Sequence, residues 1–262
     1  MSEFKPLISV IMNCHNGSKF LEESVNSIIS QTYKNWELIF WDNVSQDDSK
    51  KIITKFSDNR IKYFKSTKFN RLYKSRNLAI KNAKGQFISF LDTDDLWQKD
   101  KLEKQMDFFS KNQDYEIIYS NYYIYDESTK KKFIKFKKVL PSGIIFKQLL
   151  RNYTLGIVTT CLRRDIFKDN FFNDNFDIIG DFDLFLKLSE NNKIGYMEDV
   201  LAVYRIHKSN LSKKKIEQYV IELQTWVKAN EDRAKYKGNL KYIKFYLFKL
   251  KLKFFLHKFL GM

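Results

Sequence analysis

Over its first 112 residues the chain alternates short apolar runs with longer segments of helical periodicity, and this alternation constrains the possible folds most. Apolar runs bounded by turn residues indicate strands, and apolar residues three and four apart indicate helices. Because strand–helix–strand units bring parallel strands together, the pattern predicts an α/β fold with a mainly parallel central sheet flanked by helices. The predicted strands are residues 7–12, 36–41, 61–64 and 87–91, and the predicted helices are residues 20–31, 47–56 and 71–82.

The rest of the chain mixes strand and helix patterns and ends in two helix-like segments. An apolar strand at 115–120 precedes a basic, aromatic segment at 130–138 that is typical of a hairpin or an ordered loop. We divide the chain at residues 112 and 212, so that a helical tail occupies residues 213–262. Helical periodicity in this part covers residues 144–151, 182–190, 214–229 and 240–260.

The cysteine count and the N-terminus indicate a cytoplasmic protein. Cys14 and Cys161 are the two cysteines, and the first residues lack the basic and then apolar pattern of a secretory signal. Lysines interrupt each apolar stretch before it reaches the roughly 18 residues that span a bilayer. Any contact with a membrane is therefore expected on its surface.

The formal net charge of +16 favours a polyanionic partner. Nucleic acid, anionic lipid and a phosphorylated substrate all satisfy this charge. Carboxylates at strand ends argue against nucleic acid, because they would repel a phosphate backbone.

Polar clusters follow three of the predicted strands, at the point where each strand ends. They are residues 13–16, 42–45 and 92–95. In open α/β sheets the ligand crevice lies outside the carboxyl ends of the strands. We therefore expect the three clusters to meet at one ligand site.

The third cluster places three carboxylates, Asp92, Asp94 and Asp95, within four residues. Mg²⁺ and Mn²⁺ take oxygen ligands and are often held by one or two carboxylates plus substrate phosphates. The spacing therefore fits a metal-bridged diphosphate site. The alternative is that Asp94 or Asp95 caps the helix that begins near Lys99.

Asp42, Asn43 and Arg76 are candidates for contacts with a nucleotide. Asp and Asn side chains carry donors and acceptors that match the imide edge of a pyrimidine, although an Asx turn is a common alternative where a strand ends. The guanidinium of Arg76 offers a fork of donors for a phosphate or a base. A solvated helix face would explain Arg76 equally well.

Four motifs resemble those of the family 2 glycosyltransferases of the GT-A fold. They are ISVIMNCHNG at 8–17, SIISQTY at 27–33, ELIFWDN at 37–43 and AKGQFISFLDTDD at 83–95. The resemblance runs in order from about residue 7 to about residue 212. It implies a GT-A-like nucleotide-binding fold, with donor binding by residues 1–112 and acceptor binding by residues 113–212.

The resemblance also implies roles for individual residues. The implied nucleotide-sugar-binding residues are Asn13, His15, Asn16, Asp42, Asn43, Arg76, Asp92 and Thr93. The implied ligands of Mn²⁺ or Mg²⁺ are Asp94, Asp95 and His207, with Asp94 the most direct. A lone histidine has an alternative role as a hydrogen-bonded structural residue.

The catalytic-base motif of the family, commonly Glu-Asp before a helix, falls on Gly180 and Asp181. This implies that Asp181 is the base, and N-capping of the following helix is a compatible second role. The chain departs from the family pattern in three places. Gly180 replaces the Glu of the base motif, Asn43 replaces an Asp and Val44 replaces a Gly.

The C-terminal tail is basic and amphipathic. Nine Lys and Arg and no acidic residue follow position 232, while Ile243, Leu247, Leu250 and Phe254 share one helix face. This composition is typical of a helix that lies on an anionic membrane surface. The alternative is that the apolar stripe packs on the catalytic core or on a second subunit, which leaves a homo-oligomer open.

Together these features predict an inverting, metal-dependent glycosyltransferase, peripheral on the inner face of a bacterial membrane. It would move a hexosyl or N-acetylhexosaminyl group from a UDP-sugar to a glycan or lipid-linked acceptor, in surface polysaccharide or lipid-linked oligosaccharide synthesis. One alternative is a sugar-nucleotide pyrophosphorylase, although the loop after the first strand holds a single glycine, Gly17. Another is a protein that binds nucleic acid or another polyanion.

Overall fold

The computed structural model of the chain describes residues 4–211 and 215–260. Its strands are β1 Ile8–Cys14, β2 Trp36–Asp42, β3 Ile61–Lys65, β4 Phe87–Phe90, β5 Leu96–Trp97, β6 Ile117–Asp126, β7 Lys132–Ile134, β8 Cys161–Arg163 and β9 Ile194–Ile206. Its helices are α1 Ser18–Ile29, α2 Ser49–Ile53, α3 Leu72–Ile80, α4 Lys101–Lys111, α5 Phe146–Arg151, α6 Gly180–Ser189, α7 Ile216–Asn230 and α8 Lys241–Leu260.

One sheet runs through the molecule in the order β3-β2-β1-β4-β8-β6-β9-β5, and β7 pairs with β6. The first four of these strands are parallel, as predicted. β8 is antiparallel to both β4 and β6, which makes the second half of the sheet mixed. The segment at 130–138 forms the predicted hairpin through β7.

β9, the longest strand of the structure, was not predicted from the sequence. Its apolar pattern is interrupted by Glu198 and Asp199, and the pairing of β9 with β6 shifts register at the same point. Such a bulge breaks the alternation of apolar and polar residues by which a strand is recognised.

Two apolar cores lie on the two faces of the sheet. Along β1, Ile11 belongs to one core while its neighbours Val10 and Met12 belong to the other, as expected when side chains alternate along a strand. α1 and α4 cover the second core, and α3, α5, α6, α7 and α8 cover the first.

The two C-terminal helices are part of the first core. Ile243, Leu247 and Leu250 are buried there, and Phe254 packs against them. The apolar stripe that favoured a membrane surface therefore packs inward, which is the alternative that the sequence left open. No helix within residues 4–211 and 215–260 has the length and apolar character needed to cross a bilayer.

Lys101 is a fully buried lysine at the start of α4. Its Nζ donates to Ser89 Oγ and Gln105 Oε1, each at 2.9 Å, and lies 3.9 Å from the centre of the Trp97 ring. Burial lowers the pKa of Lys101 to about 7. The unfolded chain, with a lysine pKa of about 10.4, therefore binds more protons than the folded chain between pH 7 and 10.

We expect Lys101→Met to remove this dependence of stability on pH. The folded lysine has the depressed pKa, so the free energy of unfolding of the wild type should rise with pH relative to the variant, by up to about 1.4 kcal/mol per pH unit. Urea unfolding of both proteins at pH 7, 8 and 9 measures the difference between their free energies of unfolding. The other titrating groups are common to both proteins, so their contributions cancel in this difference. A difference that stays constant over this range would contradict the assignment.

Candidate active site

The three polar clusters meet at the carboxyl ends of β1, β2 and β4. The backbone N–H of Asn43 donates to Cys14 O at 2.7 Å, and Nδ1 of His15 lies 2.8 Å from Asn43 O. A Cβ at Gly17 would lie 2.7 Å from Thr93 Oγ1, so glycine is needed for the loop after β1 to approach the third cluster. The predicted convergence is confirmed.

The side chains of Asp42 and Asn43 are 1% and 5% exposed and are anchored by the protein. Asp42 accepts hydrogen bonds from Ser45 N–H and from the Tyr63 hydroxyl, both at 2.7 Å. Asn43 exchanges two hydrogen bonds with the backbone of Asn70. The bond from Ser45 N–H spans three residues, whereas an Asx turn spans two, so the Asx turn proposed as the alternative is not what holds Asp42. Each carboxylate oxygen of Asp42 has a second lone pair, so these contacts do not exclude a ligand.

The cluster after β1 offers polar atoms and an aromatic edge to a ligand. Within the described chain neither amide atom of Asn13 has a hydrogen-bond partner, although both are buried. The His15 ring packs edge-on against Phe69 with 4.8 Å between ring centres, and Phe69 is 61% exposed. Asn16 has a left-handed backbone with φ of 55° and accepts from Gln46 N–H at 2.8 Å, so it shapes the turn.

Asp92 forms an ion pair with Arg76. One guanidinium nitrogen of Arg76 lies 2.5 Å from Asp92 Oδ1, and the Arg76 side chain is only 3% exposed. The guanidinium also lies over the Tyr73 ring, 5.2 Å from its centre. Arg76 is therefore not on a solvated helix face, and it joins the acidic cluster to α3.

The side chains of Asp94 and His207 are in direct contact, with 2.8 Å between Asp94 Oδ2 and His207 Nε2. Nδ1 of His207 accepts from Ser209 N–H at 3.1 Å, so Nε2 carries the proton and donates to Asp94. Asn210 holds both residues, because its Oδ1 accepts from His207 N–H at 2.6 Å and its Nδ2 lies 3.3 Å from Asp94 Oδ2. Asn210 was missed, although it lies three residues from His207.

Asp95 lies behind the cleft and not in it. Its side chain is 2% exposed and accepts from Arg205 N–H at 2.9 Å. Arg205 also donates from Nε to Asp94 O and from its guanidinium to Glu23. The resemblance implied that Asp95 binds the metal directly. In the structure Asp95 instead holds the Asp94 loop against β9 through its contact with Arg205. The sequence analysis missed Arg205.

The carboxylates of the third cluster disfavour one another's charge. Burial and then the charge of Asp92 raise the pKa of Asp94. Burial and then the charges of Asp94 and Asp92 raise the pKa of Asp95 well above its usual range. A bound cation would relieve this repulsion. Within residues 4–211 and 215–260, no group of three or more His, Cys, Asp and Glu side chains forms a complete metal site.

Asp181 lies in the first turn of α6 and is partly accessible. Its Oδ1 accepts from the Tyr73 hydroxyl at 3.0 Å and from Phe182 N–H at 2.9 Å. Burial raises the pKa of Asp181, and the charge of Arg76 opposes that increase. The helix begins two residues earlier than predicted, so Asp181 lies inside the helix and Ile179 is at the N-cap.

Tyr73 fills the space that a side chain at position 180 would need. A Cβ at Gly180 would overlap the Tyr73 ring. The Glu that is common in the family at this position is therefore replaced by glycine, and the neighbour of Asp181 is a phenol hydroxyl. The ring explains a departure that the sequence left unexplained.

Asp183, the other acidic residue of this turn, faces a different cavity. Its Oδ1 accepts from Trp226 Nε1 at 2.8 Å. It lines a cavity of about 370 Å³ together with Trp226 and Arg233, between α6 and α7. The structure thus separates Asp183 from Asp181.

Three partly buried tyrosines lie close enough to Asp181 to be affected by its charge: Tyr122, Tyr153 and Tyr219. Burial, and less strongly the charge of Asp181, raises the pKa of all three. The buried hydroxyl of Tyr153 has no hydrogen-bond partner among the described residues. An unpaired hydroxyl near a carboxylate is suited to a ligand that carries hydroxyl groups.

Comparison with solved structures confirms the GT-A fold. S. aureus TarS (residues 1–349), in complex with UDP-GlcNAc, matches with a TM-score of 0.68 and 20% identity, over 89% of this chain and 70% of that chain. The mannosyltransferase PcManGT from Pyrobaculum calidifontis, in complex with GDP-Man and Mn²⁺, matches with a TM-score of 0.66 and 16% identity, over 93% and 70%.

Comparison with known sequences identifies the family to which the chain belongs. The Escherichia coli enzyme WfgD, described as UDP-Glc:alpha-D-GlcNAc-diphosphoundecaprenol beta-1,3-glucosyltransferase, is 34% identical over 214 residues, which cover 81% of this chain and 82% of WfgD. WfaP of Escherichia coli, with the same description, is 33% identical over 220 residues, or 82% and 83% of the two chains. The profile described as "Glycosyl transferase family 2" matches residues 9–171, and with these relatives it shows that the chain belongs to the family 2 glycosyltransferases.

Proposed function

We propose that this chain is an inverting glycosyltransferase that moves a hexosyl group from a UDP-sugar to a hydroxyl of a lipid-linked glycan acceptor. The observation that carries the proposal is the placement of Asp181. It is a partly accessible carboxylate with a raised pKa, held by Tyr73 and linked through Arg76 to the Asp92–Asp94 cluster.

Asp181 acts as the general base in this proposal. Both of its hydrogen bonds described above use Oδ1, and we assign proton acceptance to Oδ2. The acceptor oxygen gives its proton to Asp181 and forms a bond to the anomeric carbon, while the bond from that carbon to the UDP oxygen breaks. The electron pair of the broken bond leaves with the diphosphate. Burial raises the pKa of Asp181, which makes it a stronger base than an ordinary carboxylate.

The donor set fits a divalent cation shared with a diphosphate. Asp94 Oδ2 and His207 Nε2 are 2.8 Å apart, close to the roughly 3 Å between adjacent ligands in an octahedral shell with 2.1 Å bonds. We assign Asp94 and His207 as ligands of Mn²⁺ or Mg²⁺, with Asp92 beside them and Asp95 as the residue that positions the loop. To bind the cation through Nε2, His207 would move its proton to Nδ1 and give up the contact with Ser209 N–H. When bound, the cation would neutralise charge on the diphosphate as a Lewis acid.

The residues after β1 and β2 are the proposed site for the nucleotide. His15 and Phe69 offer an exposed aromatic edge to the base, and Asn13 offers two unpaired polar atoms. Asp42 and Asn43 border the same site and are held in place by the hydrogen bonds described above. The remaining proposed donor-binding residues are Asn16, Arg76, Asp92 and Thr93.

The two E. coli relatives suggest the substrates to test first. Their descriptions name UDP-Glc as the donor and GlcNAc-diphosphoundecaprenol as the acceptor. We propose a glucosyl or related hexosyl donor and an acceptor on a polyprenyl diphosphate, used in surface polysaccharide synthesis at the inner face of a bacterial membrane. Self-association of the chain, which the sequence left open, is tested below by gel filtration.

The deciding experiment incubates the purified chain with Mn²⁺, UDP-Glc and a GlcNAc-diphospholipid acceptor, and measures both UDP release and the product by mass spectrometry. We expect acceptor-dependent UDP release and an acceptor heavier by one hexose. UTP formation on addition of pyrophosphate would instead indicate the pyrophosphorylase alternative. Binding of nucleic acid without UDP release would favour the non-enzymatic alternative.

Asn210→Ala should weaken the response to Mn²⁺. The substitution removes the hydrogen bonds that orient His207 and Asp94, and the loss of such supporting contacts typically costs about 10- to 100-fold in metal affinity or activity. The measurement is the Mn²⁺ concentration that gives half-maximal UDP release. Asn59→Ala, at an exposed turn, is the control. An unchanged Mn²⁺ requirement in Asn210→Ala would place the cation elsewhere.

A further inference from the structure

α8 has a second apolar surface, opposite the stripe that packs into the core. We call it the outer face of α8 and define it as Tyr242, Phe245, Tyr246, Phe248 and Leu252. These side chains are between 44% and 62% exposed. In a helix, residues three and four apart lie on the same side, so Phe245, Phe248 and Leu252 form one continuous surface. A helix that is apolar on two opposite sides is expected to be covered on both.

Lysines surround this apolar surface. Lys249 Nζ lies 4.5 Å from the centre of the Phe245 ring, and Lys241 Nζ lies 5.2 Å from that of Tyr242. Lys251 and Lys253 are exposed on the same helix. The ammonium groups of Lys249 and Lys241 therefore lie over these rings in cation–π contacts. Aromatic rings and ammonium groups exposed side by side match an anionic lipid headgroup layer above acyl chains.

The charge distribution disfavours a second copy of the chain as the partner. A two-fold interface would bring the outer face of α8 against itself. That contact would oppose like charges across a small area, because Lys241, Lys249, Lys251 and Lys253 lie on or beside this face. An anionic surface complements the same charges.

The outer face of α8 adjoins the acceptor side of the cleft. The hydroxyl of Tyr246 lies 3.3 Å from that of Tyr219 on α7, and the two rings meet edge-on with 6.2 Å between their centres. Tyr219 is one of the tyrosines near Asp181. The Tyr246–Tyr219 contact therefore links the outer face of α8 to a tyrosine that the charge of Asp181 affects.

We propose that the outer face of α8 docks on an anionic bilayer and, through the Tyr246–Tyr219 contact, places the acceptor side of the Asp181 cleft at the membrane surface. The membrane contact itself is independent of the reaction. Delivery of a membrane-anchored acceptor to Asp181 rests on the proposed function.

Point variants test the docking proposal better than removal of the C-terminal helix. Residues that precede this helix, such as Tyr236 and Leu240, are buried in the core, so truncation would disturb the fold. Phe245→Ser/Phe248→Ser changes two exposed side chains of the outer face. The matched control is Phe133→Ser/Val139→Ser, which removes two equally exposed apolar side chains elsewhere. Thermal unfolding of each variant establishes that the fold is retained.

Co-sedimentation with vesicles of phosphatidylglycerol and phosphatidylcholine, compared with phosphatidylcholine alone, measures the docking. We expect the wild type and the control to bind the anionic vesicles, with binding that weakens as salt is added. Phe245→Ser/Phe248→Ser should bind at least tenfold less. Lys249→Gln/Lys251→Gln/Lys253→Gln should lose about fivefold for each lysine. Equal sedimentation of the wild type and the outer-face variants would overturn the proposal.

Two further measurements separate the outcomes. A wild-type dimer in gel filtration that Phe245→Ser/Phe248→Ser converts to a monomer, without any vesicle binding, would identify a second copy as the partner and overturn the proposal. UDP release with a soluble GlcNAc acceptor should be the same in the wild type and in the outer-face variants. If the wild type binds vesicles but releases no UDP with any acceptor, the proposed function fails while the docking surface stands.

Discussion

Asp181→Asn should retain donor binding and lose transfer, with a rate about 10² to 10⁴ lower than that of the wild type. The amide has nearly the volume of the carboxylate and its oxygen can still accept from Tyr73 and Phe182, so the turn should keep its structure. What it lacks is a site for the proton of the acceptor. Single-turnover measurement of product, together with titration of UDP binding, separates the two effects.

Asp183→Asn is the matched control for this experiment. It makes the same change two residues away, on a carboxylate that accepts from Trp226 and faces a separate cavity. We expect transfer by Asp183→Asn within a few-fold of the wild type. If Asp181→Asn remains fully active while Asp183→Asn is inactive, the base assignment moves to Asp183.

Asp94→Asn should abolish the stabilisation that Mn²⁺ and UDP together give to the wild type. A ligand present at 100 times its dissociation constant stabilises a protein by about 2.7 kcal/mol, and the variant should gain almost none of this. Without metal, the Asp94→Asn variant should be at least as stable to unfolding as the wild type. The reason is that burial and the charge of Asp92 raise the pKa of Asp94, so the charged carboxylate disfavours the folded state near neutral pH.

Thermal unfolding with and without Mn²⁺ and UDP checks this expectation. Asp100→Asn, which alters a surface ion pair with Lys104, serves as the control and should keep the full response. A normal response in Asp94→Asn would remove Asp94 from the metal site. Asp95→Asn should keep the response, because Asp95 lies behind Asp94 and an amide oxygen can still accept from Arg205 N–H.

The sequence predicted those parts of the molecule that follow from local patterns. The four parallel strands are apolar runs of ordinary length, and the polar residues after β1, β2 and β4 meet because parallel strands end at the same edge. The resemblance to the family supplied candidate roles for Asp94, Asp181 and His207. The structure brings Asp94 and His207 within 2.8 Å of each other, and their metal-binding role is still a prediction.

Contacts between distant segments could not be predicted in the same way. Arg205 reaches Glu23, 182 residues earlier in the chain, and Tyr73 reaches Asp181, 108 residues later. Nothing in the local pattern of either residue identifies its partner. The stripe on α8 illustrates a different limit, because helical periodicity finds an apolar face but does not tell whether the core or another surface covers it.

The overlap between the Tyr73 ring and any side chain at position 180 couples two positions that lie far apart in the chain. Neither can change alone, since a larger residue at 180 needs a smaller one at 73, and loss of the ring at 73 leaves a void beside Asp181. We expect the two positions to covary among relatives, with an aromatic residue at 73 where 180 is glycine and a small residue at 73 where 180 is glutamate. Proteins of the first kind would carry one less negative charge beside the base, so an inhibitor with a cationic group placed there should distinguish the two kinds.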